Sequence, residues 1–181
     1  MNKKDIIKKI NEEISKFDFL NNNSILKERE EYDILDNLDF QKRFVFDVIS
    51  GKPNVKIVDG EGKIGRNWDD TDDGELSLEY ESTVTYHWEE LDKPIEFKVF
   101  IDGDNVPFSV REEKSPGDRI TPEYVEAYIT YIDWDAFEVF FYTKAGDETI
   151  PALNRDPRIK ELFVRKFVEV FIQKETLPIK R

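Results

Sequence analysis

Between residues 76 and 110 the apolar residues recur at every second position, and that period belongs to one regular structure, the half-buried β-strand. Leu76, Leu78 and Tyr80 alternate with polar residues, and after a slip the alternation resumes at Val84, Tyr86 and Trp88. Ile95, Phe97, Val99 and Ile101 follow, then Val106, Phe108 and Val110. Strands with one apolar face need neighbours to pair with and a layer to cover that face. The text therefore commits the chain to an antiparallel sheet packed against something else. Leu91, Asp92, Lys93 and Pro94 read as a turn, and Asp102-Gly103 is a hairpin signal. Further strands are expected at 54–58, 124–133 and 137–143, with Ala145, Gly146 and Asp147 closing the strand text.

On either side of this region the period becomes helical. Ile6, Ile7, Ile10, Ile14 and Phe17 fall on one face, with Lys8, Lys9, Glu12 and Glu13 on the other. Three asparagines at 21–23 break the pattern, and Ser24 suits an N-cap. Residues 25–50 are mostly helical text, with Tyr32, Leu35, Leu38, Val45 and Ile49 as the stripe and Gly51 placed to end it. Residues 43–50 read equally as a strand, because short apolar runs are ambiguous in period. A last helix is expected from Pro157 to about Gln173, capped by Asp156 and carrying Ile159, Leu162, Phe163, Phe167, Val170 and Phe171. The fold class that follows is α+β: N-terminal helices, an antiparallel sheet of about five to seven strands and a C-terminal helix. Residues 1–50 are expected to pack on 51–181 within one domain.

At 181 residues a folded chain buries roughly 70% of the surface its unfolded form exposes. The 14 phenylalanines supply material for such a core. There is no cysteine, which excludes a disulfide framework, a thiolate metal site and a cysteine nucleophile together. The formal net charge of −13 argues against nucleic acid as a direct partner, since phosphate binding needs Lys and Arg. It fits a basic protein partner or mimicry of nucleic acid. No run approaches the roughly 20 apolar residues of a membrane span, and residues 1–7 do not read as a signal peptide. The expectation is a soluble protein made in the cytoplasm, with no membrane and no nucleic acid among its partners.

Enzymatic constellations are thin, and the chain is expected not to be an enzyme. The one histidine, His87, sits among alternating residues where a solvent-facing strand position is expected. Residues 60–65 match G-x-G-x-x-G, but Arg66, Asn67, Trp68, Asp69 and Asp70 after it are turn-like rather than helical. The whole stretch from 59 to 74 is read as a flexible, acidic, glycine-rich loop. Carboxylate pairs such as Asp133/Asp135 and Asp102/Asp104 are too common among 40 acidic residues to single one out. Asp69, Thr71, Asp73 and Gly74 follow part of a calcium-loop pattern, but Thr71 and Tyr80 stand where it needs Asp or Asn and a bidentate Glu. No metal site and no cofactor are assigned. Asp69, Asp70, Asp72 and Asp73 come nearest to a hard-cation set.

Two features suggest binding surfaces instead. Residues 59–81 are strongly acidic, whereas 155–181 are net basic, with Arg158, Arg165 and Lys166. Oppositely charged ends let copies associate head to tail, or let the basic helix lie beside the acidic stretch in one molecule. The strands are dense in aromatics, and adjacent Phe140 and Phe141 must point to opposite faces of the sheet, so both faces need cover. Arg158, Arg165, Lys166, Trp134 and Phe141 are the interface candidates.

Residues 40–51 (Phe-Gln-Lys-Arg-Phe-Val-Phe-Asp-Val-Ile-Ser-Gly), the alternation at 78–88, Lys93-Pro94-Ile95-Glu96-Phe97 and Ile132-Asp133-Trp134-Asp135 together resemble small virion proteins of tailed bacteriophages, the crAss-like group in particular. The similarity runs over residues 40–172 and is one of texture, with no signature motif. It implies a non-enzymatic neck or tail component of the virion, repeated as a homo-oligomer and held by contacts with other virion proteins. Two alternatives stay open: an acidic DNA-mimic inhibitor of a basic host protein, and a carboxylate-based metal-dependent hydrolase.

Overall fold

The computed structural model describes residues 37–67, 72–115, 124–143, 146–148 and 150–180. The expected helix at 6–17, the break at 21–24 and the stripe residues Tyr32 and Leu35 lie outside them. The first described element is helix α1, Leu38–Ile49. The Asn37 side chain caps it, accepting from the amides of Asp39 at 2.9 Å and Phe40 at 3.2 Å. The ambiguous residues 43–50 are thus helical except for Ser50, its C-cap. Helical spacing buries Phe40, Phe44, Val45 and Val48 together, whereas a strand would set Phe44, Phe46 and Val48 on one side. Gly51, at φ 61°, takes the left-handed turn that ends the helix.

Among the described residues seven strands then build one antiparallel sheet: β1 (Val55–Ile57), β2 (Glu61–Asn67), β3 (Asp73–Tyr86), β4 (Ile95–Ser115), β5 (Tyr124–Ile132), β6 (Glu138–Thr143) and β7 (Gly146–Glu148). β3 and β4 form the long central pair. β1 and β2 both lie along the other edge of β3. β6 pairs with the first half of β4 and β5 with the second, and β7 extends the sheet beyond β6. Short 3₁₀ turns at Trp134–Ala136 and Pro151–Asn154 lead to the last helix, α2, Pro157–Glu175. Asp156 caps it, accepting from the amide of Arg158 at 2.9 Å, with Pro157 in its first turn. The layout is α+β, as the change of period predicts.

Four local expectations are corrected. The acidic loop at 59–74 contains β2, hydrogen-bonded to β3 in a regular register from Glu61↔Glu81 to Asn67↔Glu75. Glycines at 62 and 65 carry no side chain to display an alternation, so this strand leaves no period-2 trace. Asp102-Gly103 is not a hairpin turn, because β4 runs through it. The register shifts there from Leu78↔Gly103 to Leu76↔Val106, and Asn105 stands at φ 53°. The turn-forming residues make a bulge instead, and the ring of Phe137 sits where a Cβ on Gly103 would approach it to 2.6 Å. The slip between Tyr80 and Val84 is no slip: Ser82 faces inward, buried, and donates to the Val58 carbonyl at 2.6 Å. Gly146 and Asp147 belong to β7 rather than closing the strand text.

α1 and α2 cover one face of the sheet with an aromatic core. Phe44 lies 5.3 Å from Phe97, 5.8 Å from Phe141 and 6.3 Å from Phe163, between ring centroids, which are favourable aromatic separations. Phe171 extends this cover to Tyr80 at 5.3 Å. Within the apolar layer Asp47 is buried, and its carboxylate accepts from the Tyr86 hydroxyl at 3.0 Å and the Asn54 amide at 2.9 Å. That knot ties α1 to β3 and to the turn before β1, and it satisfies a charge that would otherwise be costly to bury. Desolvation first, and the Asp47 hydrogen bond second, push the Tyr86 phenol well above its ordinary pKa. After α2 the chain returns to β5. The Ile129 amide donates to the Pro178 carbonyl at 2.8 Å and the Lys180 amide to the Ile129 carbonyl at 2.9 Å. The tail thereby occupies an edge that would otherwise present unpaired backbone groups. The Lys180 ammonium anchors it on Glu113 at 2.7 Å and the Tyr128 hydroxyl at 3.1 Å.

Candidate functional site

Residues paired directly across an antiparallel ladder share a face, so the registers fix what the outer, helix-free face of the sheet carries. One rung runs Lys63 on β2, Glu79 on β3, Asp102 on β4 and Glu138 on β6. The next runs Glu61, Glu81, Phe100 and Phe140, and the one after it Thr83, Lys98 and Tyr142. The Phe100 ring lies 6.3 Å from Phe140 and 6.2 Å from Tyr142. These three half-buried rings form an aromatic island at the middle of a polar sheet face.

Carboxylates border the island: Glu79, Asp102 and Glu138 in the rung on one side and Glu81 beside Phe100, with Thr83 and Lys98 in the rung of Tyr142. Lys98 ties Glu81 down at 2.8 Å, and hydrogen bonding to Glu81 raises its pKa first of all. Asp102 stands between Glu79 and Glu138, and like charges facing each other across strands repel. Its pKa is raised, chiefly by desolvation and then by Glu79, Glu138 and Asp104, with the Gly103 backbone amide opposing. Placing three carboxylates on consecutive strands works against the fold. Such a surface is suited to a cationic partner.

Among the sequence-based candidates, Arg158 and Lys166 are exposed on α2. Arg165 is engaged within the molecule, 3.4 Å from Glu161 and 3.7 Å from Glu169, with its guanidinium 5.0 Å over the Trp134 ring. Trp134 and Phe141 are corrected as interface residues, because both are buried: Trp134 packs on Phe137 at 6.0 Å and Phe141 on Phe163 at 5.9 Å. Phe141 has the inward parity of β6, and its outward neighbours Phe140 and Tyr142 hold the surface position instead. The cue was available in the sequence. Phe100 interrupts the polar side of the alternation from Ile95 to Ile101, yet only the register brings Phe140 and Tyr142 beside it.

Of the acidic candidates, Asp69 and Asp70 lie outside the described residues. Asp72 is exposed, and Asp73 lies in β3, accepting from the Ser109 hydroxyl at 2.8 Å. Among the described residues no group of three Asp, Glu or His side chains is arranged to hold a metal ion. His87 is exposed at the end of β3, on the rim of a cleft of about 300 Å³ that also borders Arg43, Asp47 and Tyr86. The Asp47 and Tyr86 groups there are already bonded to each other. No described helix is long and apolar enough to cross a membrane. Comparison with known proteins returns no match to a family model, a curated protein or a solved structure.

Proposed function

We propose that this protein is a non-enzymatic structural or assembly component of a tailed-phage particle, acting at the neck or tail through protein–protein contacts. The observation that carries the binding role is the Phe100–Phe140–Tyr142 island on an outer sheet face, bordered by Glu79, Glu81, Asp102 and Glu138. Aromatic side chains framed by charge are the usual composition of an interface centre. The phage assignment rests on the sequence resemblance over residues 40–172. Affinity purification of the tagged full chain from infected cells, read by mass spectrometry, tests it. Co-purifying portal, tail or capsid proteins are the expected result, and their absence from both lysate complexes and particles overturns it.

The acidic rungs favour one second reading, a DNA-mimic inhibitor of a basic host protein. In that case a single cationic partner is recovered, and its affinity falls steeply between low and high salt. Affinity unchanged by salt removes this reading.

A further inference from the structure

The two helices present a surface opposite in character to the outer sheet face. On α1, Leu38, Lys42 and Phe46 follow one another at four-residue spacing on the outward side, and Phe46 is 57% exposed. On α2, Ile159, Leu162, Lys166 and Val170 form the stripe farthest from the core, with Val170 77% exposed. Lys166 reaches back to the end of α1, its ammonium 3.9 Å from where a Cβ on Gly51 would stand. The end of α1 and the middle of α2 are therefore neighbours in this layer. Arg43 and Arg158, also exposed, add positive charge to this layer, where Asp39 is the exposed acid of α1 and Lys174 pairs with Glu175. One side of the molecule is apolar and basic, and the other is aromatic and acidic.

The basic helix does not spend its charge on the acidic strands of its own molecule. Its ion pairs among the described residues run to Asp135, Glu161, Glu169 and Glu175. The sheet itself separates α2 from Glu79, Glu81 and Glu138, which lie on the face turned away from the helices.

We infer that the occupant of the outer sheet face is a second copy of this chain, docked through the outward surface of its α1–α2 layer. The inference rests on the protein-binding reading above and names the partner. Apolar stripes carrying Lys42 and Lys166 meet an aromatic island bordered by Glu79 and Glu138, so both apolar matching and charge complementarity favour the contact. The two contact surfaces differ and lie on opposite sides of the protomer. The association is therefore heterologous, and each copy keeps one free surface of each kind until a ring closes or a filament grows.

Sedimentation velocity on the purified full chain, over a range of concentrations and at low and high salt, tests this without any other protein. The expected result is concentration-dependent association that weakens as salt screens the charges. Glu138→Lys on the sheet face and Lys166→Glu on the helix face should each weaken association by about tenfold or more, since each sets like charges together. Mixing the two variants should restore assembly, because the reversed sheet of one matches the reversed helix layer of the other. Glu138→Lys also relieves repulsion within its own rung, so loss of assembly cannot be put down to loss of fold. Unchanged circular dichroism and Tm check both variants. A full chain that stays monomeric throughout, or association that survives both reversals, overturns the inference. Either outcome leaves the co-purification result to judge the broader binding role separately, including the case in which residues 1–36 or another virion protein takes this face.

Discussion

Phe140 and Phe141 are identical in chemistry, adjacent in sequence and carried by the same strand, yet they belong to different parts of the molecule. Phe141 meets Phe44, Phe97 and Phe163 beneath the helices and is fully buried. Phe140 meets Phe100 on the far side, among carboxylates, and stays half-exposed. On the covered face the buried Asp47 carboxylate finds its donors within the molecule, in Tyr86 and Asn54. The open face instead retains unfavourable features: facing carboxylates at Glu79, Asp102 and Glu138, and rings only partly removed from water. A sheet needs only one apolar face to be stable in water. The residues on the other face are therefore free to follow the demands of binding rather than of folding.

Five substitutions test this division. The largest effect is expected from Phe141→Ala, which opens a cavity against Phe163 and should lower unfolding free energy by about 3–5 kcal/mol in urea titration. Phe140→Ala, one position away, should change it by no more than about 0.5 kcal/mol. Equal losses at the two sites would erase the distinction between the faces. Tyr86→Phe should follow, at about 1–3 kcal/mol, because the buried Asp47 carboxylate loses one of its two named donors. The raised phenol pKa means that the folded state holds this proton more firmly than the unfolded chain. Stability should therefore fall as pH rises past the ordinary tyrosine value, and Tyr86→Phe should remove that alkaline slope in thermal melts. Gly103→Ala should destabilise by about 1–3 kcal/mol, since the new methyl meets the Phe137 ring.

One further effect is expected to have the opposite sign. Asp102→Asn on the open face should stabilise the protein by up to about 1 kcal/mol at neutral pH, by removing the central charge of the rung. Because the folded pKa of Asp102 is raised, the folded state binds its proton more tightly. In the parent, this group favours the fold most at acid pH. That advantage is lost as pH rises from the ordinary aspartate value through the folded one. Urea midpoints on both sides of that range should differ by less in Asp102→Asn than in the parent. A destabilised variant would mean that the carboxylate serves the fold.

Period and punctuation determined much of this protein from the sequence alone. The helix at 157–175, its Asp156 cap and the alternation from Leu76 to Val110 were legible, because burial of one face imprints its repeat on the residues that supply it. So was the opposition of Phe140 to Phe141. β2 was not legible, since glycine carries no pattern, nor was the bulge at 103–105, since turn and bulge draw on the same residue types. Only the tertiary structure decided which aromatic face met the helices, and therefore that Trp134 and Phe141 are core while Phe100, Phe140 and Tyr142 form the candidate site. The physical reason is that a strand's period of two states that two faces exist, but pairing register and helix docking choose which is covered. Charge followed the same rule: the sequence separated acidic from basic segments, and the fold placed them on opposite sides of one sheet.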